Sequence, residues 1–129
     1  SPFISLFFKY LSPIPTYRNS ASFIGTIRES EAAISAGESI VIFPEDSSEG
    51  YLEKPKKFFG GFVVLGERLL KKGVDIPVVV SYFSNKKHTV IMDKPVSFSV
   101  LKKLHSDREA LAEAIRLRLN ELADRVQEL

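Results

Sequence analysis

Apolar residues recur along the chain at two different periods, which predicts a succession of helices and strands. Helical spacing predicts helices over residues 3–11, from Ser20 or Ser22 to about residue 36, over 58–72 and over 106–128. Short runs rich in β-branched residues predict strands at 39–43, 74–83 and 89–92, with a short extension at 96–98. This order predicts an α/β fold, with helices packed on a mixed or mostly parallel sheet.

Local signals mark where several of these helices end or begin. Gly37 and Gly73 follow predicted helices and are expected to end them in the left-handed conformation. The pair Gly60 and Gly61 indicates a close approach of the backbone to another element. Ser106 with Glu109 predicts a capping box at the start of the last helix. The core-facing stripe of that helix is predicted to comprise Leu111, Ile115, Leu119, Leu122 and Val126.

Length and composition favour one globular domain over residues 1–129. Hydrophobic residues form 44% of the chain and charged residues 26%, which is typical of globular proteins. The formal net charge of +2 is too small to indicate a nucleic-acid partner. The chain has no cysteine, so disulfide scaffolds, thiol nucleophiles and thiolate zinc sites are excluded. No metal or bound cofactor is expected.

The first residues suggest a fragment of a longer protein. The chain opens on the apolar, aromatic stretch Pro2–Leu11, without a preceding polar lead, and the segment 1–12 is predicted to be an apolar or amphipathic helix. It is either an interfacial helix in lipid headgroups or a helix packed within the protein. No apolar run approaches the roughly 20 residues that span a bilayer, so no transmembrane segment is predicted.

The loop after the first predicted strand is the candidate site. In open α/β sheets ligands bind beyond the carboxyl ends of strands, and Pro44 follows such an end. Glu45 supplies a hydrogen-bond acceptor, and Ser47 and Ser48 supply short donors. A solvated surface loop is the alternative.

Three short segments resemble the glycerol-3-phosphate and lysophosphatidate acyltransferase family. The family's third block has a sequence close to FPEGTRS after a hydrophobic strand, and residues 43–48 (FPEDSS) are similar to it. Residues 14–18 (IPTYR) resemble the second block, and residues 76–80 (IPVVV) resemble the fourth. The likeness covers roughly residues 3–98, and the order of the segments carries it. The last helix has no signature.

The resemblance implies roles for individual residues. Arg18 would bind the phosphate of the acceptor through its planar guanidinium. Glu45 would orient the acceptor or hold Arg18, and Lys57 would add positive charge, although a solvated lysine is the simpler explanation of Lys57. The predicted substrate-binding set is Arg18, Glu45, Asp46, Ser47, Ser48 and Lys57.

Two positions depart from the family pattern. Asp46 stands where the family has glycine, and Ser48 stands where it has arginine. One cation that would face a phosphate is therefore missing and a carboxylate is added. A neutral or zwitterionic lysolipid is an alternative acceptor.

The catalytic pair of the family, a histidine with an aspartate five positions on, is expected upstream of Ser1. Only His88 and Asp93 have that spacing here, and they follow the third block instead of preceding it. On a strand an odd offset sends two side chains to opposite faces, so we interpret this match as accidental. His105 is interpreted as a loop residue. The chain alone is expected to be inactive.

These observations predict part of an acyltransferase of phospholipid biosynthesis. The whole protein would transfer a fatty acyl group from acyl-CoA or acyl-carrier protein to a hydroxyl of a lysophospholipid such as 1-acyl-glycerol-3-phosphate. It would contact the cytoplasmic side of a membrane peripherally. The alternative is a non-catalytic α/β module that docks on a membrane or a partner through the first helix and the basic residues Lys56, Lys57, Lys71 and Lys72.

Overall fold

The computed structural model describes residues 20–44 and 52–129, with side chains described from Phe23 onward. The predicted helix over 3–11 lies outside these residues. Backbone contacts divide the chain into two compact units, Ser1–Ile42 and Phe43–Leu129. The first unit contains helix α1, Ser20–Ser35. The second contains, in order, α2 (Gly61–Lys71), β1 (Pro77–Val78), β2 (Ser81–Ser84), β3 (Thr89–Met92), β4 (Val96–Ser97), α3 (Phe98–Leu104) and α4 (Arg108–Gln127).

The glycines that were predicted to end two helices do so. Gly37 has φ +84° and Gly73 has φ +82°. After α1, the N–H of Gly37 donates to the carbonyl of Ile34, and the N–H of Glu38 donates to the carbonyl of Ala33, both at 3.0 Å. The same pair of bonds closes α2 around Gly73. This is the Schellman arrangement, which needs a residue in the left-handed region and therefore favours glycine.

The strands form an antiparallel hairpin. Strand β2 pairs with β3 in the register Ser81↔Met92 to Ser84↔Thr89, and β1 pairs with β4 through Pro77↔Ser97 and Val78↔Val96. Between the two ladders, residues 79–80 face residues 93–95, so the second limb has one residue more. Pro95 has no N–H for the ladder, which agrees with a bulge at this point.

The coarse α/β class is confirmed, but the predicted parallel pairing is wrong for the described residues, whose strands all pair antiparallel. The strand predicted at 39–43 is also wrong, because residues 38–44 form no strand. Val41, Ile42 and Phe43 are exposed there, whereas a buried parallel strand was expected. A run of apolar β-branched residues forms a strand only if another segment pairs with it, and the local sequence does not specify that segment.

Helix α4 carries most of the core of the second unit. Its buried side chains include Leu111, Leu119, Leu122 and Val126, and Ile115 packs at the edge, as predicted. They pack with Phe58, Val63, Tyr82 and Phe98. Helix α4 contacts α2 and one face of β2 and β3, so the hairpin is covered by helix on that face.

Two predictions about the last part of the chain are wrong: the residue that caps α4 and the structure of the segment before it. The cap is Asp107, whose Oδ2 accepts from the N–H of Ala110 at 3.1 Å, and Ser106 lies one residue before it. Helix α3 begins at Phe98, where only an extended segment was predicted. Its first turn is held by Asp75, whose Oδ1 accepts from the N–H of Ser99 at 3.0 Å.

Candidate functional site

Most of the predicted substrate-binding residues lie outside the described part of the chain. These are Arg18, Glu45, Asp46, Ser47 and Ser48. Lys57 is described, and so are the residues on both sides of the loop that contains Glu45. The structure therefore describes the two ends of this loop, up to Pro44 and from residue 52 onward.

The base of the loop is closed by a backbone hydrogen bond. The N–H of Phe59 donates to the carbonyl of Pro44 at 2.8 Å. Pro44 immediately precedes Glu45, and Lys57 lies two residues before Phe59. The bond joins two chain segments that lie 15 positions apart in the sequence. Lys57 therefore lies on the segment that closes the loop, two residues before the bond.

The returning limb of the loop is anchored on helix α4. The guanidinium of Arg116 donates from Nη1 to the carbonyl of Pro55 at 2.9 Å, and Lys54 forms an ion pair with Asp124. Phe58 is buried in the core of the second unit. Three successive anchors therefore fix the backbone around Lys57, which limits the entropy that a ligand contact at this lysine would cost.

Lys57 itself is exposed, and its Nζ lies 5.9 Å from the centre of the Phe59 ring. That distance is within the range of a cation–π contact, which is weak at exposed sites. Phe59 is 53% exposed. An exposed cation beside an exposed aromatic ring can bind an anionic group or lie at a headgroup layer.

The His88 and Asp93 side chains belong to different local structures. His88 is exposed in the turn between β2 and β3, with φ +48°. Asp93 follows β3, and its carboxylate accepts from Nε of Arg118 at 2.5 Å and from Nη2 at 2.9 Å. Arg118 also donates to Glu121. Asp93 thus joins the hairpin to α4. The interpretation of the five-residue spacing between His88 and Asp93 as accidental stays a prediction.

We expect the stability that Asp93 contributes to be lost in acid. The Arg118 guanidinium lowers the pKa of Asp93 from 3.8 to about 2. A carboxyl with a lowered pKa in the folded state stabilises that state above its ordinary pKa, and this contribution disappears as the pH falls from about 4 through 2. The side chains of Asp93 and Arg118 are 24% and 37% exposed, so the contribution near neutral pH should be only about 1 kcal/mol.

Urea denaturation from pH 6 to pH 2 measures this contribution in the parent, Asp93→Asn, Arg118→Gln and the double variant. The coupling free energy of the cycle should be favourable at pH 6 and clearly smaller at pH 2, where about half of the Asp93 carboxyl groups are protonated in the folded state. A coupling that does not change with pH would contradict the assignment of the ion pair.

The other face of the hairpin presents apolar side chains to solvent. Because successive side chains alternate between faces, Val79, Phe83, Val90 and Met92 lie opposite the face that α4 covers. The Phe43 ring packs against Phe83 with centroids 6.0 Å apart, and Met92 is 66% exposed. The solvent face of an antiparallel sheet is commonly polar, so this apolar face is a candidate contact surface.

Residues 20–44 and 52–129 contain no helix that is long and apolar enough to cross a membrane. Within the same ranges, no three His, Asp or Glu side chains come together in a group that could hold a metal ion.

Comparisons of the chain with protein-family models, curated proteins and solved structures give no match. The family resemblance of the three sequence segments therefore stays a prediction.

Proposed function

We propose that this chain is part of an acyltransferase that moves a fatty acyl group from acyl-CoA or acyl-carrier protein to a hydroxyl of a lysophospholipid. The observation that carries the proposal is the order of three segments, residues 14–18, 43–48 and 76–80, each similar to a family block. The catalytic histidine and aspartate are expected in residues upstream of Ser1. In this proposal the chain is a piece of the glycerol-3-phosphate acyltransferase-like fold and supplies the acceptor-binding half of the site.

The closed base of the loop supports this assignment. The bond between Pro44 and Phe59 joins the residue before Glu45 to the limb that carries Lys57. A carboxylate and a cation on one closed loop can address a hydroxyl and an anionic headgroup of the same acceptor. The segment 76–80 contains strand β1, as a hydrophobic strand with a proline would require.

Peripheral membrane contact is part of the proposal. The apolar outer face of the hairpin, Val79, Phe83, Val90 and Met92, would enter the headgroup layer of the bilayer that holds the acceptor. The exposed Phe59 and the lysine next to its ring support the same contact. Exposed apolar and aromatic side chains with nearby cations suit an anionic lipid surface.

The natural polypeptide that contains this chain should transfer acyl groups from acyl-CoA to a lysophospholipid. Because charge-assisted hydrogen bonds contribute about 1.5–3 kcal/mol, we expect Arg18→Ala to lower kcat/KM for lysophosphatidate by about ten- to a hundredfold. Lys57→Ala should lower it by about two- to fivefold, given the exposure of this lysine. Lys86→Ala, in the exposed hairpin turn, is the matched control and should change it less than twofold.

The assay should present lysophosphatidate and a zwitterionic lysolipid, each in anionic vesicles and in detergent micelles. A preference for the zwitterionic acceptor is the result expected from the added carboxylate at Asp46 and the missing cation at Ser48. Met92→Asp should reduce transfer in vesicles and not in micelles if the hairpin face meets the bilayer. Absence of acyl transfer to either acceptor, or equal effects of Arg18→Ala and Lys86→Ala, would overturn the proposal.

A further inference from the structure

A half-open groove lies where the hairpin, α3 and α4 meet. It encloses about 190 Å³ and is lined by Val78, Val80, Asp93, Lys94, Val96, Leu101, His105, Ala114, Ile115 and Arg118. Six of the lining residues are aliphatic, and the other four are the ionisable residues Asp93, Lys94, His105 and Arg118. All of these residues belong to the unit Phe43–Leu129.

The break between the two strand ladders lies at this groove. Val80 and Asp93 lie within the break, next to the β2–β3 ladder, and are joined by one hydrogen bond, from the N–H of Asp93 to the carbonyl of Val80 at 2.9 Å. The extra residue in the second limb shifts the register between the β2–β3 and β1–β4 ladders. Bulges bend a strand locally and often occur next to functional sites.

The ionisable side chains on the groove differ in whether another side chain neutralises them. Asp93 and Arg118 are hydrogen-bonded to each other, so their charges largely compensate. In the described ranges, the Lys94 ammonium and the His105 imidazole have no hydrogen-bond or ion-pair partner; Lys94 is bonded only through its backbone N–H, to Asp93, and its side chain is exposed. An apolar groove beside an uncompensated cation and an imidazole N–H donor is complementary to a molecule with an apolar tail and an anionic head.

We propose that this groove binds a single-chain fatty carboxylate, with the alkyl tail on Val78, Leu101 and Ile115 and the carboxylate at Lys94 and His105. The binding requires no acyl transfer and uses none of the residues assigned to the lysolipid acceptor, so it goes beyond the proposed function. Failure of one proposal leaves the other standing.

The size of the groove sets the expected chain length. The groove is small, at about 190 Å³, and half-open. It should therefore hold only the first carbons of a long alkyl tail, and the remainder of a longer chain would stay in solvent. Each methylene that enters should tighten binding by up to about fourfold, which corresponds to about 0.8 kcal/mol.

Titration of the full chain with sodium hexanoate, octanoate and decanoate, followed by two-dimensional NMR, tests the proposal. Amide signals of Val78, Leu101 and Ile115 should shift with saturation, and the Kd should fall about tenfold from hexanoate to octanoate and less from octanoate to decanoate. Octanol should bind about three- to tenfold more weakly than octanoate, because it lacks the charge that Lys94 would contact. Equal binding of octanol and octanoate, or a Kd independent of chain length, would overturn the proposal.

Two matched pairs of variants locate the site. Ala114→Leu places a larger side chain in the groove and should weaken octanoate binding at least tenfold, whereas Ala110→Leu, exposed on the same helix, should not. Lys94→Gln should weaken it about two- to fivefold, because Lys94 is exposed, and Lys86→Gln should leave it unchanged. Circular dichroism and thermal melting verify that each variant is folded. If Ala114→Leu does not fold, Lys94→Gln against Lys86→Gln decides, and equal effects within this pair would refute the site.

Discussion

Gly66→Ala should destabilise the second unit by about 1–2 kcal/mol, although alanine favours helices. A Cβ on Gly66 would lie 2.5 Å from Cζ and 2.6 Å from Cδ2 of Phe98, and closer still to Cε2. Phe98 is 1% exposed and packed on all sides, so its ring cannot move away without displacing the core. Overpacking of this kind costs about 1–3 kcal/mol, and the gain in helix propensity of up to about 1 kcal/mol offsets only part of a severe overlap.

Gly25→Ala is the matched control for this prediction. Gly25 also lies inside a helix, but a Cβ there has no atom within 4 Å. That variant should be unchanged or up to about 1 kcal/mol more stable in urea denaturation. Phe98→Leu should relieve part of the overlap, so the double variant with Gly66→Ala should be more stable than the sum of the two single changes predicts. Equal behaviour of Gly66→Ala and Gly25→Ala would refute the close packing of α2 on Phe98.

Leu122→Ala should reduce the free energy of unfolding by about 2–5 kcal/mol, which is the usual range for a leucine removed from a packed core. Leu122 is 0% exposed in the middle of the apolar cluster, so the lost side chain leaves a cavity that close-packed neighbours fill only in part. A loss of this size is a large fraction of the stability of a small domain. We expect a clear fall in the urea midpoint, with partial unfolding in the absence of denaturant at the upper end of the range.

Leu117→Ala provides the comparison within the same helix. Leu117 is 50% exposed, so its truncation should cost less than about 1 kcal/mol. Helix propensity is nearly the same for both changes, so the difference between them reports burial. If the two variants lose similar stability, α4 does not pack with the face that contains Leu122.

Local features of the fold were predictable from the sequence. The stripe of α4 from Leu111 to Val126 was correct because burial of one helical face imposes a period on the sequence. Gly37 and Gly73 were correct because a left-handed residue at a helix end has few alternatives to glycine. Strand β3 was predicted with the bounds that it has, Thr89–Met92.

Features that depend on distant residues were missed. Helix α3 begins at Phe98, where its first turn is bonded by Asp75 from 24 positions earlier. The close approach was expected at the pair Gly60 and Gly61; at Gly60 this is wrong, because a Cβ there would meet nothing within 4 Å, whereas one on Gly66 would overlap Phe98. A glycine in a sequence does not indicate which distant side chain lies beside it.

For the candidate site, too, the sequence predicted part of the arrangement and the structure supplied the rest. The sequence identified the loop after Phe43 and its polar residues, and the roles of Arg18, Glu45, Asp46, Ser47 and Ser48 stay predictions. Only the structure joined Pro44 to Phe59 and anchored the limb around Lys57 on α4. It also placed Lys94 and His105 on one apolar groove, although His105 had been interpreted only as a loop residue.

The sequence alone therefore determined the buried face of α4, the glycine ends of α1 and α2 and the candidate loop, because these follow from interactions between residues close in the chain. The tertiary structure decided the direction of strand pairing, the position of the tight glycine and the groove. Only the tertiary structure showed that the segment after Ile40–Tyr51 is anchored on α4, through Lys54 and Pro55. These features depend on which distant segments meet, and the energy of such contacts is set by packing and by hydrogen bonds that no local pattern specifies.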